Sequence, residues 1–204
     1  MKLFRIGAMV AVLAGCGPLV DLPGQGEPPN FYRLSAPDTT GAQSAEGAAV
    51  VMIETPSVPG DIAGSDIAIR GDGHRIQFLD GARWTDRTPD MLRRYLVTAL
   101  RNAGPIRGID GREDIDVQAG YRLRVDVERF HGRLSGNPQV EVHMAATLLR
   151  NGPVTLMADR AFTVTRSAGS TSAEALVSAF DNAMDAIVSD MTQWLQGELP
   201  APPA

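Results

Sequence analysis

The chain has 204 residues, a net charge of −5 and a single cysteine. An acidic balance with no basic cluster along the sequence argues against nucleic acid and against anionic headgroups as partners. One cysteine excludes a disulfide within the chain, so the fold must rest on its core, which a chain of this length can build as one domain.

The first residues carry Lys2 and Arg5, followed by an apolar and small run over residues 6–14. This is the layout of a secretory signal: a basic start, a short apolar centre and small residues at the cut. The run is far shorter than the ~20 residues that span a bilayer. Leu13-Ala14-Gly15-Cys16 resembles a bacterial lipobox. That resemblance implies a lipoprotein signal peptide over residues 1–15, diacylglyceryl transfer to the Cys16 sulfur, cleavage before Cys16, and acylation of the new amino terminus, palmitate being the expected acyl group. The competing reading is an ordinary cleaved signal with Cys16 a spectator. Several acyl chains anchor a protein stably where one does not. Gly17 stands where an aspartate would signal inner-membrane retention, so by that analogy the periplasmic face of the outer membrane is expected.

Residues 16–47 are expected to form the lipidated cysteine and a flexible tether. Ten of the 31 residues from 17 to 47 are Gly or Pro, and a coil of that length has a root-mean-square span of ~30 Å. Phe31-Tyr32-Arg33-Leu34 interrupts the tether, and its aromatic pair is expected to dock on its own domain or on a partner. An α+β domain is expected over residues 48–197 and a Pro-rich tail, which cannot continue a helix, over residues 198–204.

Within the domain, residues 48–54 read as a buried strand stopped by Thr55-Pro56. Residues 67–70 and 75–79 read as short strands, with Asp72-Gly73 favouring a tight hairpin. Thr88 is the expected N-cap of a helix with Pro89 in its first turn. Leu92, Tyr95, Leu96, Ala99, Leu100 and Ala103 share one face of it, and Gly104-Pro105 ends it. Tyr121, Leu123, Val125 and Val127 alternate with charged residues, and Val140, Val142, Met144, Ala146 and Leu148 do the same. Both runs predict strands with one buried face. Asn151-Gly152 then turns into a third strand over residues 154–164, where Arg160 falls in the inward register unless a bulge near Asp159 shifts it. Thr171-x-x-Glu174 predicts a capping box for a long helix closed by Gly197, with an apolar stripe from Leu176 to Leu195. These elements predict a mostly antiparallel sheet covered on one face by two long helices.

No catalytic or metal-binding constellation is visible. His74, His131 and His143 stand at no ligand spacing and read as solvated or edge residues. Ser135-Gly136 and Ser167-Ala168-Gly169 do not form a nucleophile elbow. Asp110, Glu113, Asp114 and Asp116 lack the spacing of a calcium loop, because Arg112 occupies a ligand position, and read as a solvated loop. No cofactor, no metal and no catalytic residue is expected, and the chain is expected not to be an enzyme.

An ordered set of residues resembles the ABC-type transport auxiliary lipoprotein family, whose members work beside MCE-domain proteins. The set comprises the lipobox, Tyr32-Arg33-Leu34, Val50-Val51-Met52-Ile53-Glu54-Thr55-Pro56, Ile67-x-Ile69-Arg70, Arg83-Trp84, the Leu96–Leu100 helix segment and the closing Trp194-Leu195. The chain departs from the family pattern at Thr85-Asp86-Arg87-Thr88-Pro89 after the tryptophan, and at Phe31 in place of a second tyrosine. The resemblance implies an outer-membrane-anchored docking component of an ABC/MCE-type envelope system for lipid or another hydrophobic compound. Its implied partners are an MCE-domain protein and ABC transporter components, with self-association left open. Trp84 and Tyr32 are the candidate partner-binding residues. The competing assignments are a Trp84 that seals the sheet against the first helix and a Tyr32 that docks at home. An alternative function is a periplasmic lipoprotein that holds a small apolar ligand in a cavity lined by Met144, Phe162, Phe180 and Met184.

Overall fold

In the computed structural model, which describes residues 28–37, 47–71, 73–101, 106–114 and 117–200, eight strands and two helices alternate along the chain. They are β1 (Asn30–Tyr32), β2 (Ala49–Ile53), β3 (Asp66–Arg70), β4 (Ile76–Trp84), α1 (Thr88–Arg101), β5 (Ile106–Asp110), β6 (Tyr121–Arg133), β7 (Gln139–Arg150), β8 (Thr155–Ser167) and α2 (Ala173–Glu198). The fold is α+β, and all eight strands join one sheet.

The long alternating run of β6 organises that sheet. Along one edge it pairs antiparallel with β7 over almost its whole length. Two strands share its other edge: β2 lies parallel beside Tyr121–Leu123, and β3 lies parallel beside Gly132. Between them the chain stays in contact with β6, because the Ser57 N–H donates to the Val125 carbonyl and the Val127 N–H donates to the Ser57 carbonyl. Pro56, which has no N–H to offer, is buried just before this bridge. From these strands the sheet fans out: β5 pairs parallel with β2, β4 antiparallel with β3, β1 parallel with β4, and β8 antiparallel with β7.

The expectation of a mostly antiparallel sheet is therefore corrected to a mixed one. Among the described residues four of the seven strand pairings are parallel. The antiparallel ladders are those closed by hairpins, which local turn residues reveal. The parallel ones need crossovers, and α1 supplies one by carrying the chain from β4 to β5.

Side-chain packing follows the predicted stripes. Leu123, Val125 and Val127 of β6 and Val140, Val142, Met144, Ala146 and Leu148 of β7 are buried beneath Leu176, Phe180, Met184, Ile187 and Leu195 of α2. α1 buries Leu92, Leu96 and Leu100 and lies beside α2, joined to it by a hydrogen bond from the Tyr95 hydroxyl to Asp185.

Several local expectations shift by a residue or more. The Thr88 hydroxyl donates to the Gly64 carbonyl instead of capping α1, and the Met91 N–H reaches Arg87, where helical bonding starts. α2 is capped by Ser172, whose Oγ accepts from the Ala175 N–H at 3.3 Å, and not by a Thr171–Glu174 box. It runs through Gly197 to Glu198. The β8 bulge sits at Met157, between the pairs Leu149–Leu156 and Leu148–Ala158. Arg160 consequently keeps the helix-facing register, where its guanidinium lies 5.3 Å above the Phe162 ring and remains exposed at the sheet edge. Ala103, Gly104, Pro105, Asp72, Asp116 and the tail beyond residue 200 lie outside the described residues.

β5 was not expected at all, because Gly108 interrupts its apolar run. A Cβ there would stand 3.0 Å from the Leu100 Cβ, so the glycine lets α1 lie directly on the strand. Gly132 serves the same purpose under α2: a Cβ would meet Ile69 Cδ1 at 2.9 Å and Leu176 Cδ2 at 3.3 Å. Gly132→Ala is expected to destabilise the domain by about 1–3 kcal/mol through overpacking. Ile69→Val, which deletes the obstructing methyl, should recover part of that loss. Denaturant melts of the single and double variants check both.

Candidate functional site

The residues singled out near the N-terminus build one feature. β1 adds a short edge strand to β4, placing Tyr32 opposite Trp84, and the Thr85 N–H donates to the Tyr32 carbonyl at 2.7 Å. The Tyr32 hydroxyl donates to Glu174 Oε1 at 2.8 Å, in the first turn of α2. That bond holds the tyrosine hydroxyl above its ordinary pKa. The Glu174 carboxyl is held below its usual range, first by its own backbone N–H and then by Tyr32. After β1, Leu34 plugs into the core, and the Ser35 N–H donates to Asp181 Oδ1 at 2.9 Å. Pro37 reaches the seam between α1 and α2. Residues 28–37 thus form a strap on the domain, so Tyr32 docks at home and the expected tether over residues 16–47 does not run uninterrupted.

Two clefts flank the strap. One of about 660 Å³ is bordered by Arg33, Leu34, Thr85, Asp86, Met91 and Arg94. The other, about 380 Å³, lies beyond Pro37 along Ala99, Val188, Thr192, Gln193 and Gln196. Arg94 and Asp86 are ion-paired across the mouth of the first. Tyr95 lines the first cleft and Asp185 the second, the two joined by a hydrogen bond, and Asp181 stands beside them on α2. Burial and then the bond to Asp185 push the Tyr95 hydroxyl far above its usual range. Burial raises the Asp181 carboxyl, with Asp185 repulsion adding to it and the Ser35 N–H opposing it. The arrangement supplies carboxylates, hydroxyls and backbone groups for docking, and no nucleophile paired with a base.

Trp84 requires a correction. It is 1% exposed and stands in a ring cluster with Phe130 at 5.9 Å and Phe180 at 5.5 Å, while Phe130 and Phe180 stack at 4.5 Å. It seals the sheet and offers no surface to a partner. The exposed aromatic on the adjacent strand is Phe31, 62% exposed, at the position where the chain departs from the family pattern. Cys16 lies outside the described residues.

The polar residues that read as solvated are partly buried. Asp110 ends β5 in a buried ion pair with Arg93 of α1 and accepts the Arg112 N–H, and Asp114 accepts the Asp110 N–H. His131 is buried on the sheet face away from the helices, 3.6 Å from Glu141, and burial pushes its imidazole below the usual histidine range. His143 lies 3.2 Å from Glu128. Among the described residues no group of three metal-ligating side chains converges, and no helix is long and apolar enough to cross a membrane.

Comparison with known proteins adds a family to this geometry. The family model for the ABC-type transport auxiliary lipoprotein component matches residues 32–192. A protein of Bradyrhizobium diazoefficiens, uncharacterized protein bll6063, is 25% identical over 191 residues, covering 92% of this chain and 50% of the relative. The chain therefore spans about half the length of the curated relative it matches. Among solved structures, protein XCC0632 from Xanthomonas campestris superposes with a TM-score of 0.70 at 24% identity, covering 81% of this chain and 94% of that one. Hypothetical protein CT253 from Chlamydia trachomatis superposes at 0.53 with 6% identity, covering 74% and 97%. At these identities the two structures show a shared fold alone.

Two outcomes follow for the strap and the ring cluster. A carboxyl with a raised pKa in the fold costs stability as the pH climbs from the ordinary aspartate value through the raised one, and the cost persists at neutral pH. Asp181→Asn keeps an oxygen for the Ser35 N–H, so it should melt higher than the parent at neutral pH. The difference should close as the pH falls below the ordinary aspartate range, as thermal melts across pH would show. Trp84→Ala should cost about 3–5 kcal/mol in chemical denaturation, the loss expected of a core tryptophan.

Proposed function

The chain belongs to the family of ABC-type transport auxiliary lipoprotein components, and from that membership we propose that it is the non-catalytic docking component of an envelope transport system of the ABC/MCE type. In this reading it is anchored by lipid on Cys16 at the periplasmic face of the outer membrane. It contacts an MCE-domain protein and, through it, the ABC transporter that moves lipid or another hydrophobic compound.

The observation that carries the reading is the family match over residues 32–192, which starts within the strap and takes in α1 and most of α2. The lipobox and Gly17 support anchoring and its side of the envelope. The strap supports a short reach: eleven residues separate Cys16 from Pro28, where the described domain begins. Whatever their conformation, they span at most about 40 Å. Confinement near one leaflet raises the effective concentration of the domain for a membrane-bound partner. The alternative, an apolar-ligand lipoprotein, gains nothing from the four residues proposed to line its cavity. Met144, Phe162, Phe180 and Met184 are all buried in the core.

Crosslinking of the anchored protein in its native envelope, followed by mass spectrometry, tests the proposal. Recovery of an MCE-domain protein with its permease is expected. Recovery of the bait alone, with control complexes captured, would overturn it. Independently, the N-terminal peptide of the mature protein should carry acyl mass on Cys16, and Cys16→Ser should move the protein into the soluble fraction.

A further inference from the structure

Strand directions gather four arginines, scattered in sequence, at one end of the sheet. β3 and β6 run parallel with Ile69 opposite Gly132, so Arg70 and Arg133, the last residues of their strands, follow side by side. Gly132 pairs with Val140, and Val140 with Arg166, so Arg166 stands at the same end of the sheet one row short of Arg133 and on the opposite face. Arg75 closes the β3–β4 hairpin, its carbonyl accepting the Gly71 N–H at 2.9 Å. All four side chains belong to exposed residues. None forms an ion pair among the described residues, whereas Arg129 pairs with Glu141, Arg122 and Arg124 with Glu54, and Arg83 with Asp66.

Between the two hairpins Arg70, Arg75, Gln77, Leu134 and Ser135 border a cleft of about 260 Å³. Carboxylates near this end are partly engaged. Glu128 borders the neighbouring cleft but faces His143, and Glu174 accepts Tyr32, leaving Asp61, among the described residues, as an uncommitted acid beside Arg70.

The domain also receives its N-terminal chain from this end. Asn30 stands opposite Ala82 in a parallel pairing, so Pro29 and Pro28 lead back along β4 toward Ile76 and the hairpin. Pro28, the first described residue of the strap, therefore lies toward the arginine-bearing end of β4.

We propose that this end is a membrane-docking surface that seats on anionic phospholipid headgroups, with the Arg70–Arg75 cleft taking a headgroup phosphate. Its orientation toward the leaflet rests on the proposed lipidation of Cys16; its charge does not. Guanidinium groups pair with phosphate through two parallel hydrogen bonds. The net negative charge of the chain is no obstacle, because charges more than about 10 Å away are screened at physiological salt. This proposal departs from the exclusion of anionic headgroups drawn from net charge, because the fold concentrates what the sequence disperses.

The test uses the mature chain from Cys16 carrying Cys16→Ser, so that no acyl group contributes. Sedimentation with vesicles of phosphatidylglycerol in phosphatidylethanolamine should show salt-sensitive binding, and vesicles of phosphatidylcholine alone should show little. Each basic side chain near an anionic surface is worth about fivefold in partitioning. The quadruple variant R70Q/R75Q/R133Q/R166Q should therefore lose about a hundredfold or more. A control quadruple away from this end, R87Q/R107Q/R150Q/R160Q, should lose far less. Single variants R70Q and R133Q, each with a melting temperature near the parent's, guard against a folding defect. Equal binding to both vesicle types, equal losses in both quadruples, or no binding by the parent would overturn the proposal. Absence of acyl mass on Cys16 with arginine-dependent binding intact would sink the anchor and leave this surface standing.

Discussion

A strand has two hydrogen-bonding edges, and β6 divides one of them between two partners. β2 takes its first three residues and β3 its end, with Ser57 bridging the gap, while β7 occupies the whole opposite edge. Every other strand reaches the sheet through one of these three. The division sets where the helices go. α1 must pass from the β3–β4 branch to the β2–β5 branch, and α2 lies over the β6–β7–β8 ladder, so the two meet above the fork. Gly108 and Gly132 let the helices lie close on the strands, α1 on β5 and α2 on β6.

The strap depends on that meeting. It crosses the seam with Leu34 in the core, Ser35 on Asp181 and Tyr32 on Glu174, so it ties β4 to α2, adding β1 to the sheet before it turns onto the helices. The helices also leave one buried charge pair, Arg93 with Asp110, that fastens α1 to β5. Such a pair contributes little net stability when intact, yet removal of one partner leaves an uncompensated buried charge costing about 3–5 kcal/mol. It fixes where α1 sits more than how firmly the domain holds.

What was legible in the sequence was whatever period and punctuation express locally. The alternation of β6 and β7, the β7–β8 turn at Asn151-Gly152, and the apolar stripes of both helices all appear where the residues place them. Features set by distant chain segments were not legible. The parallel pairings of β2 and β3 depend on a crossover that no local residue announces. β5 was hidden by the glycine that makes it possible. Asp110 read as a solvated acid because Arg93, its partner, is seventeen positions upstream on a helix. Trp84 carried two assignments that only the positions of Phe130 and Phe180 decide. The strap lay within a stretch whose Gly and Pro content suggested coil, although Phe31-Tyr32-Arg33-Leu34 was the one part that did not fit.

The parallel pairing of β1 with β4 also has a mechanical side. Tension arriving through residue 28 acts along the axis of β1, so its hydrogen bonds to β4 share the load in shear instead of opening one after another. Behind them, in series, stand the buried Leu34 and the Ser35–Asp181 bond. Load applied at residue 28 thus meets the strap before it reaches the core.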